Sequence, residues 1–115
     1  PKLGLEPPFK DLEFVTIDGE YEYNEYITIF PTPGHSPGHQ SVVVKTDRCN
    51  FVIAGDAIFS YDNLKSDSKK LMEFNPIGRY VNIFDTWNST EEIIRRGDQI
   101  LPGHDVSVFK NSNYH

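Results

Sequence analysis

Apolar residues in this chain fall into short runs set apart by turn-forming residues, a spacing that predicts strands. Phe14-Val15-Thr16-Ile17 reads as a first strand, and Asp18-Gly19 as a tight turn into the tyrosine-rich segment Tyr21 to Tyr26. Ile27-Thr28-Ile29-Phe30 is a second strand ending at Pro31. Gln40 to Lys45, with Val42-Val43-Val44 inside it, is a third, and Phe51-Val52-Ile53-Ala54 a fourth. Thr46 to Asn50 turns between these two, so they are expected to form a hairpin. Ile100-Leu101 is a last short strand.

The pattern supports one helix. Ser89-Thr90-Glu91-Glu92 matches a capping box, Ile93 and Ile94 supply apolar contact, Arg95 and Arg96 suit a C-terminal turn, and Gly97 is a natural stop. The spacing of Ile83, Trp87 and Ile94 extends its start back towards residue 84. Pro1 to Lys10, with three prolines and a glycine, reads as irregular chain. The mixed stretch from Ala57 to about Asn82, with Pro76 and Gly78, is long for a passive connector and is expected to be a lid or binding loop.

At 115 residues the chain is the size of one domain, and a 37% hydrophobic content with eight Phe, six Tyr and one Trp suffices for a single modest core. The net charge of −6 argues against nucleic acid as a partner, because phosphate binding needs Lys and Arg contacts. The one local positive run, Lys65, Lys69 and Lys70, is interleaved with Asp67 and reads as a solvated loop. No apolar run approaches the roughly 18 residues of a membrane helix. A lone Cys49 excludes an intramolecular disulfide and points to a reducing compartment, so a cytoplasmic setting is expected.

Three of the four histidines sit in one tripeptide: Pro33-Gly34-His35, Pro37-Gly38-His39 and Pro102-Gly103-His104. Proline fixes φ and glycine supplies conformations forbidden to other residues, so each pair re-aims the chain just before an imidazole. His35, Asp56 and His104 all fall just past the end of an expected strand, where sheets present functional side chains. Two histidines and a carboxylate suit zinc, iron or manganese, and one carboxylate has two oxygens with which to bridge two cations. The set is too small to complete two coordination spheres.

Thr32 to His39, then Ala54-Gly55-Asp56, then Leu101-Pro102-Gly103-His104-Asp105, taken in this order, resembles the C-terminal half of the metallo-β-lactamase superfamily, closest to its N-acyl-homoserine-lactonase-like members. The resemblance runs from about Phe14 to Asp105. It implies an α+β fold, half of a four-layer αβ/βα sandwich, with a mixed, mostly antiparallel sheet and a helix on its outer face. It implies that His35 ligates one metal, Asp56 bridges, and His104 ligates the second, the pair being two divalent ions, zinc foremost, with iron or manganese as alternatives. His39 and Asp105 would support these ligands by hydrogen bonding. In lactonase-like members a tyrosine often stands three residues after the bridging aspartate; that position is Phe59 here, leaving Tyr61 as the candidate for oxyanion support. Phe59, Tyr80 and Trp87 are candidates to line an acyl pocket.

Members of that family also carry an upstream H-x-H-x-D-H motif. Nothing here matches it, and residues 1 to 34 hold no histidine. The 115 residues are therefore expected to form the C-terminal part of a single domain whose N-terminal half carries the remaining ligands. Alone, they are expected to be inactive and to pair with that half or with a second copy as a homodimer. The implied reaction is hydrolysis of a small-molecule lactone or other carboxylic ester by a metal-bound hydroxide. Two alternatives stand beside it: a glyoxalase II-like thioester hydrolase on the same metals, and a non-catalytic half-domain serving as an interaction module.

Overall fold

Alternation along the strands decides which side of the sheet is buried. In the computed structural model, which describes residues 12–66 and 73–110, the elements are β1 (Tyr21–Glu22), β2 (Ile27–Pro31), β3 (Gln40–Lys45), β4 (Asn50–Gly55), α1 (Ile83–Arg96) and β5 (Gln99–Pro102), with short 3-10 turns at Tyr61–Leu64 and Val106–Lys110. The strands form one sheet in sequence order, β1 to β4 antiparallel and β5 parallel to β4. A parallel neighbour needs a crossover, and α1 lies within the one between β4 and β5. This is the expected mixed, mostly antiparallel sheet with one helix.

Phe30 opposes Ser41 and Val43 opposes Val52, so these residues share a face with Ala54. There Phe30, Val43, Val52, Ala54, Ala57, Ile58 and Ile93 form the buried cluster, flanked by Leu64 and Ile100. Ile93 brings α1 onto this face, and burying such a side chain contributes about 1.5–3 kcal/mol. On the opposite face Ile29, Val42, Ile53 and Leu101 line up across the strands. Ile53 is 46% exposed, and the other three are half-buried.

Two expectations need correction. Phe14 to Ile17 is not a strand: Phe14 and Val15 are exposed, and the edge of β2 is taken by Tyr21–Glu22 instead. A local turn decides this, because the Asn24 side chain accepts from the amides of Tyr26 and Ile27, both at 2.8 Å, and folds the tyrosine segment back on β2. The Ser89 capping box is the other: the helix starts where the spacing of Ile83, Trp87 and Ile94 extends it, at Ile83. Asn82 caps it, accepting from the amides of Phe84 and Asp85 at 3.0 and 3.1 Å, and Ser89 and Thr90 lie buried in its middle turns.

The stop at Gly97 is as expected, its amide closing on the Ile93 carbonyl. Close packing explains the glycine, since a Cβ there would meet Val52 Cγ2 at 2.8 Å. The Thr46 to Asn50 turn joins β3 and β4 in the expected hairpin. The long segment after β4 holds the 3-10 turn at Tyr61–Leu64, where the Asn63 side chain accepts from the amides of Phe59 and Ser60. Pro1 to Lys10, Asp67, Lys69 and Lys70 lie outside the described residues. Among the described residues no helix is long and apolar enough to cross a membrane.

Candidate metal centre

The loop carrying His35 is docked against the start of α1. Gly34 has φ of 139°, a conformation L side chains rarely adopt, and a Cβ there would lie 2.6 Å from backbone atoms of Thr86. Glycine is thus required twice over, by its own torsion and by contact. The Gly34 carbonyl accepts from the amides of Val81 and Asn82, and Ser89 Oγ donates to the Pro33 carbonyl at 2.6 Å. The misread capping serine therefore holds the histidine loop.

Gly55 ends β4 with φ of 54°, and Asp56 follows it into a turn. Parallel pairing brings the end of β5 alongside, where Gly103 donates its amide to the carbonyls of Gly55 and Ile58 at 3.1 and 2.9 Å. A Cβ on Gly103 would stand 2.4 Å from the Gly55 carbonyl oxygen, so only glycine permits this approach. His104 then turns back, its amide donating to the Phe59 carbonyl at 2.8 Å.

These turns bring His35, Asp56 and His104 together in a cleft of about 350 Å³ lined also by Phe59 and Arg79. One imidazole faces each carboxylate oxygen: His35 Nε2 is 3.6 Å from Asp56 Oδ2, and His104 Nε2 is 2.6 Å from Oδ1. His35 Nδ1 lies 2.9 Å from the Arg79 carbonyl, which can only accept. Nδ1 therefore carries a proton, and in the neutral ring Nε2 turns a lone pair towards an anionic oxygen, an arrangement that favours a cation between them. The hydrogen bond from His104 holds the Asp56 carboxyl below its ordinary range, helped by the nearby His35 and opposed by partial burial. Among the described residues no three His, Cys, Asp or Glu side chains form a complete cage for one ion. The donors instead form two pairs sharing Asp56.

His39 lies behind the carboxylate. Its Nε2 accepts from the Asp56 amide at 3.0 Å and its Nδ1 lies 2.8 Å from Thr32 Oγ1. Burial pushes its pKa down and favours the neutral ring. Asp105 accepts from the amides of Tyr61 and Ser107 and from Ser107 Oγ, tying the loop after Asp56 to the turn after His104. Both histidine turns thus have a polar residue behind them.

The aromatic candidates separate. The Phe59 ring packs against both imidazoles, with centroids 4.7 Å from His104 and 5.6 Å from His35. Tyr61, Tyr80 and Trp87 are not among the residues lining the cleft; Trp87 packs on Phe74 at 4.3 Å, and Tyr80 is exposed. Arg79 lines the cleft and orients His35 but belongs to no motif, and its role rests on a contact 44 positions away in the chain. Thr32 and Ser41 were equally silent, save that Ser41 is a polar residue on an alternating apolar face.

The sequence model of the metallo-beta-lactamase superfamily matches residues 3–109. An N-acyl homoserine lactonase of Bacillus cereus is 34% identical over 101 residues, covering 87% of this chain and 39% of the relative. A solved N-acyl homoserine lactone hydrolase with N-hexanoyl-L-homoserine at its catalytic metal centre superimposes with a TM-score of 0.59 at 26% identity, covering 82% of this chain and 36% of that one. A Bacillus thuringiensis AiiA variant with N-decanoyl-L-homoserine at its active site gives the same TM-score, identity and coverage. The chain thus spans about two-fifths of the length of the curated relatives it matches. With the family model matching residues 3–109, most of the sequence, the chain belongs to the metallo-beta-lactamase superfamily.

Proposed function

We propose that this chain supplies one side of a two-metal site in a hydrolase that opens lactones or other carboxylic esters. The observation that carries the reading is the shared carboxylate of Asp56, with an imidazole Nε2 facing each of its oxygens. His35 with Asp56 Oδ2 would hold one divalent ion and His104 with Oδ1 the other, zinc, iron and manganese all suiting these donors. Bound there, the ions would supply a nucleophilic water of lowered pKa and polarise the substrate carbonyl. The remaining ligands would come from a segment outside these 115 residues.

The chain's own residues do the positioning. The Arg79 carbonyl sets the His35 ring, and the Phe59 face packs against both imidazoles and shields them on that side. Phe59 offers no hydroxyl at the cleft, so the oxyanion draws no donor from that position, and Tyr61 reaches it only if its loop brings the phenol forward. N-acyl homoserine lactones are the first substrates to test because the named relatives act on them.

The test uses the intact protein loaded with zinc, with ring opening followed by proton release. Lactone turnover is expected, at least tenfold faster than turnover of an acyl thioester, and His104→Ala is expected to reduce it more than about 100-fold. A zinc-loaded protein that turns over neither substrate overturns the reading in favour of an interaction module. Faster thioester turnover overturns the lactone and ester assignment.

A further inference from the structure

Behind Asp56 lies a hydrogen-bonded circuit that begins and ends on the same strand end. The Asp56 amide donates to His39 Nε2 at 3.0 Å, His39 Nδ1 meets Thr32 Oγ1 at 2.8 Å, Thr32 Oγ1 meets Ser41 Oγ at 2.7 Å, and Ser41 Oγ donates to the Ala54 carbonyl at 3.4 Å. It starts at residue 56, just past β4, passes beyond the end of β2 and the start of β3, and returns to β4 at residue 54. Gly55, between the two ends, leaves room for it: a Cβ there would stand 3.0 Å from His39 Nε2.

The backbone ends fix every proton in this circuit. An amide N–H can only donate, so His39 Nε2 must accept and the ring proton sits on Nδ1. That N–H donates to Thr32, whose hydroxyl must then donate onward to Ser41, and the Ala54 carbonyl, which can only accept, receives the last proton.

Packing alone does not ask for these hydroxyls. Thr32 and Ser41 are 0% and 1% exposed, beside Phe30, Val43 and Ala54 on the buried face, where two apolar residues of similar shape would be nearly neutral. No buried side-chain polar atom among the described residues lacks a partner, so the hydroxyls are used completely.

We propose that Thr32 and Ser41 are positioning residues for Asp56: acting through His39, which they hold as the Nδ1–H tautomer, they set the turn that aims the carboxylate at His35 and His104. The proposal rests on the two-metal reading for its purpose. Supporting groups of this kind typically alter metal affinity 10–100-fold when removed.

The experiment is a histidine side-chain 15N–1H correlation on the intact protein, first without metal, followed by a zinc titration. In the wild type and in Thr32→Ser, His39 is expected to show a protonated Nδ1 and a bare Nε2. In Thr32→Val, the Nδ1–H loses its acceptor while the Asp56 amide still requires Nε2 to accept; the ring loses its anchor, so the Nδ1–H and Asp56 amide signals are expected to shift and zinc affinity to fall about 10- to 100-fold. If Thr32→Val does not fold, Ser41→Ala, which removes the circuit's last link, is expected to show the same change to a smaller degree. An Nε2–H tautomer in the wild type overturns the proposal. So does a folded Thr32→Val with unchanged Nδ1–H and Asp56 amide signals and unchanged affinity, or a Thr32→Ser as impaired as Thr32→Val, which would mark a packing role. The metal-free tautomer decides the circuit even if the protein proves to bind no zinc, so failure here and failure of the hydrolase reading are separate results.

Discussion

The glycines before the site residues do different work, and Gly34 is the most constrained of them. Its φ of 139° excludes side chains, and the Thr86 backbone occupies the place a Cβ would take. Gly34→Ala is therefore expected to cost about 2–4 kcal/mol, backbone strain adding to overpacking, when read by urea denaturation of the intact protein. Because the displaced loop carries His35, zinc affinity should fall with it. A cost below about 1 kcal/mol would mean that the loop is not pinned to α1 as described. His35, Asp56 and His104 were legible in the sequence because each follows a glycine its place requires, by torsion at Gly34 and Gly55 and by close approach at Gly103. Arg79, Thr32 and Ser41 were not, since their roles depend on which residues the folded chain brings opposite them, as Phe30 is brought opposite Ser41.

Among the elements, the helix start near residue 84 was legible from the spacing of Ile83, Trp87 and Ile94, but its cap was not. Short apolar runs set apart by turn residues marked β2, β3 and β4, and the Thr46 to Asn50 turn marked the β3–β4 hairpin. Phe14 to Ile17 has the composition of a strand but does not form one, because the Asn24 turn gives β2's edge to Tyr21–Glu22. Ser89 and Thr90 look like a cap from sequence spacing, yet Asn82 provides the cap and Ser89 binds the Pro33 carbonyl. At the other end of α1, Glu92 pairs with Arg95 and Arg96, and Arg96 also reaches Glu20 and lies over the Phe30 ring at 4.3 Å. Arg95, then Arg96, holds the Glu92 carboxyl below its ordinary value of 4.5. Since the folded value is the lower one, this stabilisation is present above pH 4.5 and is lost as pH falls through the folded value. Glu92→Gln is expected to destabilise by about 0.5–1 kcal/mol at pH 7, and the gap to the wild type should close under acid. Urea midpoints at pH 7 and across the acid range check this; a gap constant with pH would show that the charge contributes nothing.

Across the whole molecule, the two faces of the sheet differ. One carries α1 and the core; the other presents Ile29, Val42, Ile53 and Leu101 half-buried or exposed. The cleft lies where β4 and β5 end; their parallel pairing brings Asp56 and His104 together, and docking of the Gly34 loop on α1 adds His35. Only the folded sheet brings residue 104 to residue 56, so the centre is a property of the topology as much as of the residues. The central claim is that Asp56 serves two metal ions at once. The most direct test is the metal content of the intact protein after dialysis against a weak chelator, wild type beside Asp56→Ala. We expect two divalent ions per wild-type chain and at most one in the variant, with lactone hydrolysis lost in parallel. A wild type that holds no ions, or an Asp56→Ala protein that keeps both, would contradict the account.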